Sequence, residues 1–171
     1  RISELEDTRR RSAFEFFSPE HLLKQAHEFY EPLAQEKDQQ LILHAHGQYP
    51  LLLGDVSLLF EALVNLMDNA IKFTQPGGNI YLSCLRSECG LSIEVLDDGP
   101  GIPVNERMSV TRRLYRGDQT RQQPGNGLGL SLVAAIARLH GFGLEVKAGL
   151  NGRGTRIVLN CPVDIPPNTA D

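Results

Sequence analysis

Three groups of residues in this chain of 171 have the types and spacing to do chemistry. The first is Asn65, Asn69 and Lys72, whose i, i+4 and i+7 spacing puts them on one stripe of a helix. Asparagine costs roughly 0.5 kcal/mol relative to alanine inside a helix, so folding alone explains two of them poorly. An amide oxygen can hold a hard cation and a lysine can hold phosphate; a plain solvated helix face would carry the same residues. The second group is Asp97-Asp98-Gly99-Pro100-Gly101-Ile102, where a predicted strand ends. A carboxylate there can accept from an exocyclic amine, and glycines let a flat ring approach the backbone, although Asp and Gly also furnish ordinary β-turns. The third is Gly125-Asn126-Gly127-Leu128-Gly129-Leu130, which opens a helix. Backbone N–H groups at a helix N-terminus bind phosphate. The run is not a P-loop, since no Lys-Ser or Lys-Thr follows it, and the missing strand before it excludes a dinucleotide fingerprint.

Other candidates carry less. His44 and His46 alternate on one strand face, but no third ligand accompanies them. His140 falls in the last turn of a helix, where positive charge suits the dipole. The three cysteines fit no zinc spacing, and Cys84 and Cys161 read as small core residues in a reducing compartment. A net charge of -4 gives no basic surplus for nucleic acid. No uncharged stretch reaches the roughly 20 apolar residues of a membrane span. The chain opens at Arg1 in mid-pattern and reads as a fragment of something longer.

These residues need elements to position them. Residues 1–12 read as the charged end of a helix, with Ile2 and Leu5 meeting a partner helix. Ser18 and Pro19 start a second helix with an apolar stripe of Leu22, Ala26, Phe29 and Leu33, and Pro32 should kink it or end it early. A short strand is expected at 41–45. Asp55 then caps a long helix whose apolar face is Leu59, Leu63, Leu66, Ala70 and Phe73, stopped by Pro76-Gly77-Gly78. Strands are expected at 79–85, 91–97, 144–148 and 155–161, with a helix at 128–140 ended by Gly141. The order implies an α+β domain in two layers, a mixed and largely antiparallel sheet covered on one face by helices.

The order and spacing of the three groups resemble the N, G1 and G2 boxes of sensor histidine kinases, within the superfamily of gyrase, heat-shock chaperone and mismatch-repair ATPases. The resemblance runs from about Phe16 to Cys161, and Asn65 to Thr74 looks like an N box in nearly every position. It implies the Bergerat ATP-binding fold, with ATP and Mg²⁺ as ligands. Asn69 would coordinate Mg²⁺, Asn65 would support the metal and phosphate end, and Lys72 would reach the phosphates, with Phe73 beside it. Asp97 would take the adenine amine, with Gly99, Gly101 and Ile102 shaping the pocket. Gly125, Gly127, Leu128 and Gly129 would wrap the phosphates, joined by Arg116 and Arg121. Gly152-Arg153-Gly154-Thr155 resembles the last glycine box, with Thr155 near adenine.

Thr111 and Leu114 stand where the family's lid carries phenylalanines, ahead of Tyr115-Arg116. His27-Glu28 through Pro32 mimics a phosphoacceptor box but lies too close to the N box, so it reads as the first helix of the ATP-binding domain. The resemblance therefore implies a cytoplasmic catalytic domain at 13–161, a remnant of a dimerisation helix at 1–12 and a flexible tail at 162–171. Asn65, Lys72 and Arg116 would act in transfer to a histidine on a dimerisation domain absent from this chain, homodimeric in the full-length protein. A response regulator receiver domain would take the phosphoryl group next. An inner-membrane location of the full-length protein is compatible with this; nucleic acid and membrane contact by this segment are not expected. Rival readings are a nucleotide-sensing module without transfer activity and a hydrolytic ATPase, the latter opposed by Asn65 where those enzymes place a glutamate base.

Overall fold

The computed structural model describes residues 13–88, 90–100 and 130–163. Its elements are β1 (Glu15–Phe17), α1 (Pro19–Glu36), β2 (Gln40–His44), β3 (Leu52–Gly54), α2 (Val56–Phe73), β4 (Asn79–Ser87), β5 (Gly90–Asp97), α3 (Leu130–His140), β6 (Gly143–Ala148) and β7 (Thr155–Pro162). Five strands form one sheet in the order β2-β4-β5-β7-β6, and β1 and β3 pair separately as a short ribbon. Among the described strands of the large sheet, only β2 and β4 pair in parallel and the other pairs are antiparallel. The α+β reading of a mixed, largely antiparallel sheet with helices on one side is what the chain forms.

Alternation makes the two layers. Ile80, Leu82 and Cys84 on β4, Leu91, Ile93 and Val95 on β5, and Ile157, Leu159 and Cys161 on β7 are buried in one core with the helices. The opposite face carries Glu94, whose carboxylate accepts from Arg156 Nε at 2.6 Å. The long helix α2 starts where Asp55 Oδ1 accepts from Leu58 N at 3.2 Å, as its N-cap position predicts. Burying Leu59, Leu63, Leu66 and Ala70 settles its roll about its axis.

Several expectations are corrected. Helix α1 continues through Pro32 to Glu36, because Pro32 lies on the exposed side and solvent can satisfy the carbonyl that its missing N–H leaves. Its buried stripe is Leu22, Leu23, Ala26, Tyr30 and Ala34, whereas Phe29 and Leu33 stay 58% and 43% exposed. The face was misjudged because Tyr30 is polar at one end yet buries its ring. Phe73 is also exposed, at the last turn of α2. The β1–β3 ribbon had no signal in so short a pattern. His140 does not act as a cation on the helix dipole: its Nε2 accepts from Asp55 N at 3.0 Å, and its Nδ1 faces Ile136 O at 2.7 Å. The ring therefore takes the neutral Nδ1–H tautomer and ties α3 to the start of α2.

Asp55→Ala should lower the stability of the domain by about 1 kcal/mol, the usual worth of such a cap, in a urea titration followed by far-UV circular dichroism. An unchanged midpoint would show that the cap does not hold α2.

Candidate functional site

The end of β5 and the end of α2 meet, which sets the Asp97 turn against the helix that carries Asn65, Asn69 and Lys72. Asp97 closes β5 in register with Thr155 at the start of β7 and with Ile80 on β4. Its side chain is only 8% exposed, and Oδ1 accepts from Gly99 N at 2.9 Å. Burial raises the Asp97 pKa above the ordinary carboxylate value, and Asp98 adds to the rise; the backbone N–H groups of Gly99 and Thr155 work against it. A buried carboxylate with capacity left on its oxygens is suited to a neutral donor.

Glycine is required at two positions around it. Gly154 has φ +78°, and a Cβ there would overlap the Asp97 carbonyl. A Cβ on Gly99 would come within 2.7 Å of the Phe73 carbonyl oxygen. The last turn of α2, the Asp97 turn and the start of β7 are thus pressed together. Asp98 braces the same corner, its carboxylate accepting from Asn79 N at 2.9 Å and Asn79 Nδ2 at 3.2 Å.

The polar stripe lies along α2 as expected. Asn65 and Asn69 are half-buried and Lys72 is exposed. Asn65 Nδ2 donates to Glu61 O at 3.2 Å, and Lys72 Nζ lies 5.5 Å from the centre of the Phe73 ring. Thr155 is half-buried beside Asp97. Gly101, Ile102, Arg116, Arg121, Gly125, Gly127, Leu128 and Gly129, like Thr111 and Leu114, lie outside the described residues. The donor chemistry suits a nucleotide: an acceptor for an amine at Asp97 and, on α2, a lysine for phosphate with amide oxygens acceptable to a hard cation. Among the described residues, no group of three or more His, Cys, Asp and Glu could hold a metal; the stripe on α2 offers the amide oxygens of Asn65 and Asn69 to a cation.

Sequence reasoning missed the residues that hold these groups in place. Gln39 is buried, and its Nε2 donates to Ile71 O at 2.9 Å and Thr74 O at 2.6 Å. Lys37 Nζ reaches Ile71 O at 2.8 Å. Tyr30 binds Asp68 in the middle of α2. A polar residue between a helix and a strand gives no local sign of such a role. His27 is held inside the domain, its Nε2 3.1 Å from Leu41 O and 3.4 Å from Glu31.

Residues 54–165 match the family described as histidine kinase-, DNA gyrase B-, and HSP90-like ATPase. The chain is 37% identical over 145 residues to the adaptive-response sensory kinase SasA of Synechococcus elongatus, covering 84% of this chain and 36% of that protein. Among solved structures it resembles the mycobacterial sensor histidine kinase MprB, at 28% identity and a TM-score of 0.68, over 86% of this chain and 96% of that one. The catalytic domain of histidine kinase ThkA shares the fold at 20% identity, with a TM-score of 0.74 over 87% of this chain and 95% of that one. ThkA has also been solved in complex with the response regulator protein TrrA.

Because its folded pKa is raised, ionised Asp97 weakens the fold: the contribution to stability is full below the unfolded pKa and is lost as pH rises through the folded value. Asp97→Asn should therefore unfold at higher urea than the parent at pH 7, with the gap closing as pH falls toward 4. A variant less stable at pH 7 would mean that the carboxylate is held by more than its backbone donors.

Proposed function

Since the chain belongs to the histidine kinase-, DNA gyrase B- and HSP90-like ATPase family, we propose that it is the ATP-binding catalytic domain of a sensor histidine kinase. It binds Mg-ATP and passes the γ-phosphoryl group to a histidine on a separate dimerisation domain. The observation that carries this reading is the buried Asp97 carboxylate between glycines at the end of β5. Asp97 accepts the adenine amine, with Thr155 beside it and Gly99 keeping the approach flat. Asn65, Asn69 and Lys72 serve the phosphate end. The parts given to Gly101, Ile102, Arg116, Arg121, Gly125, Gly127, Leu128 and Gly129 rest on the family resemblance.

Phosphoryl transfer passes through a loose transition state in which the protein mainly positions and neutralises. Mg²⁺, held through Asn69, would supply charge neutralisation at the phosphates. Lys72 adds a mobile ammonium at the end of the same stripe, and Asp97 fixes the opposite end of the nucleotide. The attacking nitrogen is the incoming histidine's own, so this domain needs no base for it. Asn65, whose amide cannot take a proton, occupies the place where a water-activating base would stand, which favours transfer over hydrolysis. In the full-length protein we assign a homodimer through the dimerisation domain, a receiver domain as the next acceptor and a cytoplasmic position for this part. Among the described residues no helix is long and apolar enough to cross a membrane.

Calorimetry tests the nucleotide site. Mg-ATP should bind more tightly than Mg-GTP by about 2–4 kcal/mol, because a carbonyl facing Asp97 sets acceptor against acceptor and leaves the buried carboxylate without the donor that the amine supplies. Asn69→Ala should keep adenosine affinity and lose the magnesium-dependent part of ATP affinity. Equal affinities for the two nucleotides would remove Asp97 from base recognition, and an unchanged magnesium effect would remove Asn69 from the metal. Incubated alone with MgATP, the chain should not label itself, since His27 is fixed in α1 against β2. Acid-labile phosphate on His27 would overturn that assignment.

A further inference from the structure

Tyr30 is 2% exposed and reaches from α1 to α2. Its hydroxyl donates to Asp68 Oδ1 at 2.7 Å and lies 3.1 Å from Val64 O. Asp68 sits four residues before Lys72 on α2, the spacing at which a carboxylate and an ammonium pair on a helix surface. That pair does not form. Neither residue takes part in the side-chain ion pairs His27–Glu31, Lys147–Glu145 and Arg156–Glu94, and the Lys72 ammonium lies toward the Phe73 ring instead. The Asp68 carboxylate is drawn to the other side, toward α1.

We infer that Tyr30 is a positioning residue for the phosphate end of the site: its hydroxyl holds Asp68 toward α1 and so leaves the Lys72 ammonium available for phosphate. This rests on the nucleotide reading of the α2 stripe. Burial, followed by the hydrogen bond and charge of Asp68, raises the phenol's pKa well above its ordinary value, so the hydroxyl remains a donor throughout the working range of pH. Without that donor, the exposed Asp68 carboxylate is free to turn to its i+4 neighbour. It would then compete with phosphate for Lys72 and place negative charge beside the nucleotide's own.

The test compares adenosine and Mg-ATP binding by calorimetry in the parent, Tyr30→Phe, and Tyr30→Phe combined with Asp68→Asn. Tyr30→Phe keeps the buried ring and removes only the hydroxyl. It should raise the Kd for Mg-ATP about two- to fivefold, the order of one helical ion pair plus added repulsion, and leave adenosine unchanged. Raising the salt concentration should shrink the difference. Adding Asp68→Asn should restore the parent Kd, which mere loss of packing or stability would not allow. As an independent variant, Asp68→Glu, one methylene longer and ill-fitted to Tyr30, should weaken Mg-ATP in the same way. Parent-like ATP binding by Tyr30→Phe, equal weakening of adenosine and ATP, or no rescue by Asp68→Asn would overturn the inference. A parent that binds Mg-ATP no better than adenosine would overturn the phosphate reading of the stripe itself, and this inference with it.

Discussion

Helix α2 ends against the body of the protein, and its last carbonyls need donors that solvent does not supply there. Gln39 gives both of its amide protons to them, one to Ile71 O and one to Thr74 O, and Lys37 adds a second donor to Ile71 O. The turn carrying these residues passes through Asp38 at φ 56°, and the Asp38 carbonyl takes the Gly77 N–H at 2.6 Å. One short turn therefore grips the end of α2 and the bend that leads into β4. Strain and desolvation are the cost, since Gln39 Oε1 and Thr74 Oγ1 are buried without a protein partner. With the end of α2 fixed, the Phe73 carbonyl sets where Gly99 can lie, and Gly99 N in turn holds the Asp97 carboxylate.

Topology explains why Asp97 arrives at that place. Strand β4 leaves α2 at Asn79, and the antiparallel hairpin brings β5 back over almost the same length, so that Asp97 lies opposite Ile80. The side chain of Asn79 then binds Asp98, closing the corner. Strand β7 enters from the other side with Thr155 opposite Asp97. A hairpin one residue out of register would turn Asp97 to the polar face that Glu94 and Arg156 occupy. The parallel pairing of β2 with β4 requires a crossover. That crossover contains α2, which is why the polar stripe and the end of the sheet belong to one site.

The Asp97 environment trades stability for recognition. Its carboxylate is desolvated and supported by few backbone donors, an arrangement that folding alone would not favour. The surrounding glycines have the same character: Gly154 lies where any side chain would strike the Asp97 carbonyl. Stability is supplied elsewhere, by the continuous core that joins α1, α2 and α3 to the inner face of the sheet.

The chemistry-bearing residues were legible because their constraints are local. The i, i+4, i+7 stripe on α2 follows from helical period, the Asp55 cap from its own carboxylate, and the Asp97 turn from a strand pattern that breaks at glycine. The strand ranges at 79–85, 91–97 and 155–161 were legible for the same reason, whereas which of their faces meets the helices is seen only in the folded core. Tertiary structure decided whatever depends on partners distant in the chain. Only folding brings Gln39 to carbonyls 32 and 35 residues away, or the Tyr30 hydroxyl to Asp68, 38 residues away. It also made His140 an acceptor for Asp55 N, where a helix end considered alone favours a cation. In α1, spacing admitted more than one apolar face, and contact with α2 chose Tyr30 over Phe29, because only the Tyr30 hydroxyl finds a polar partner inside that interface.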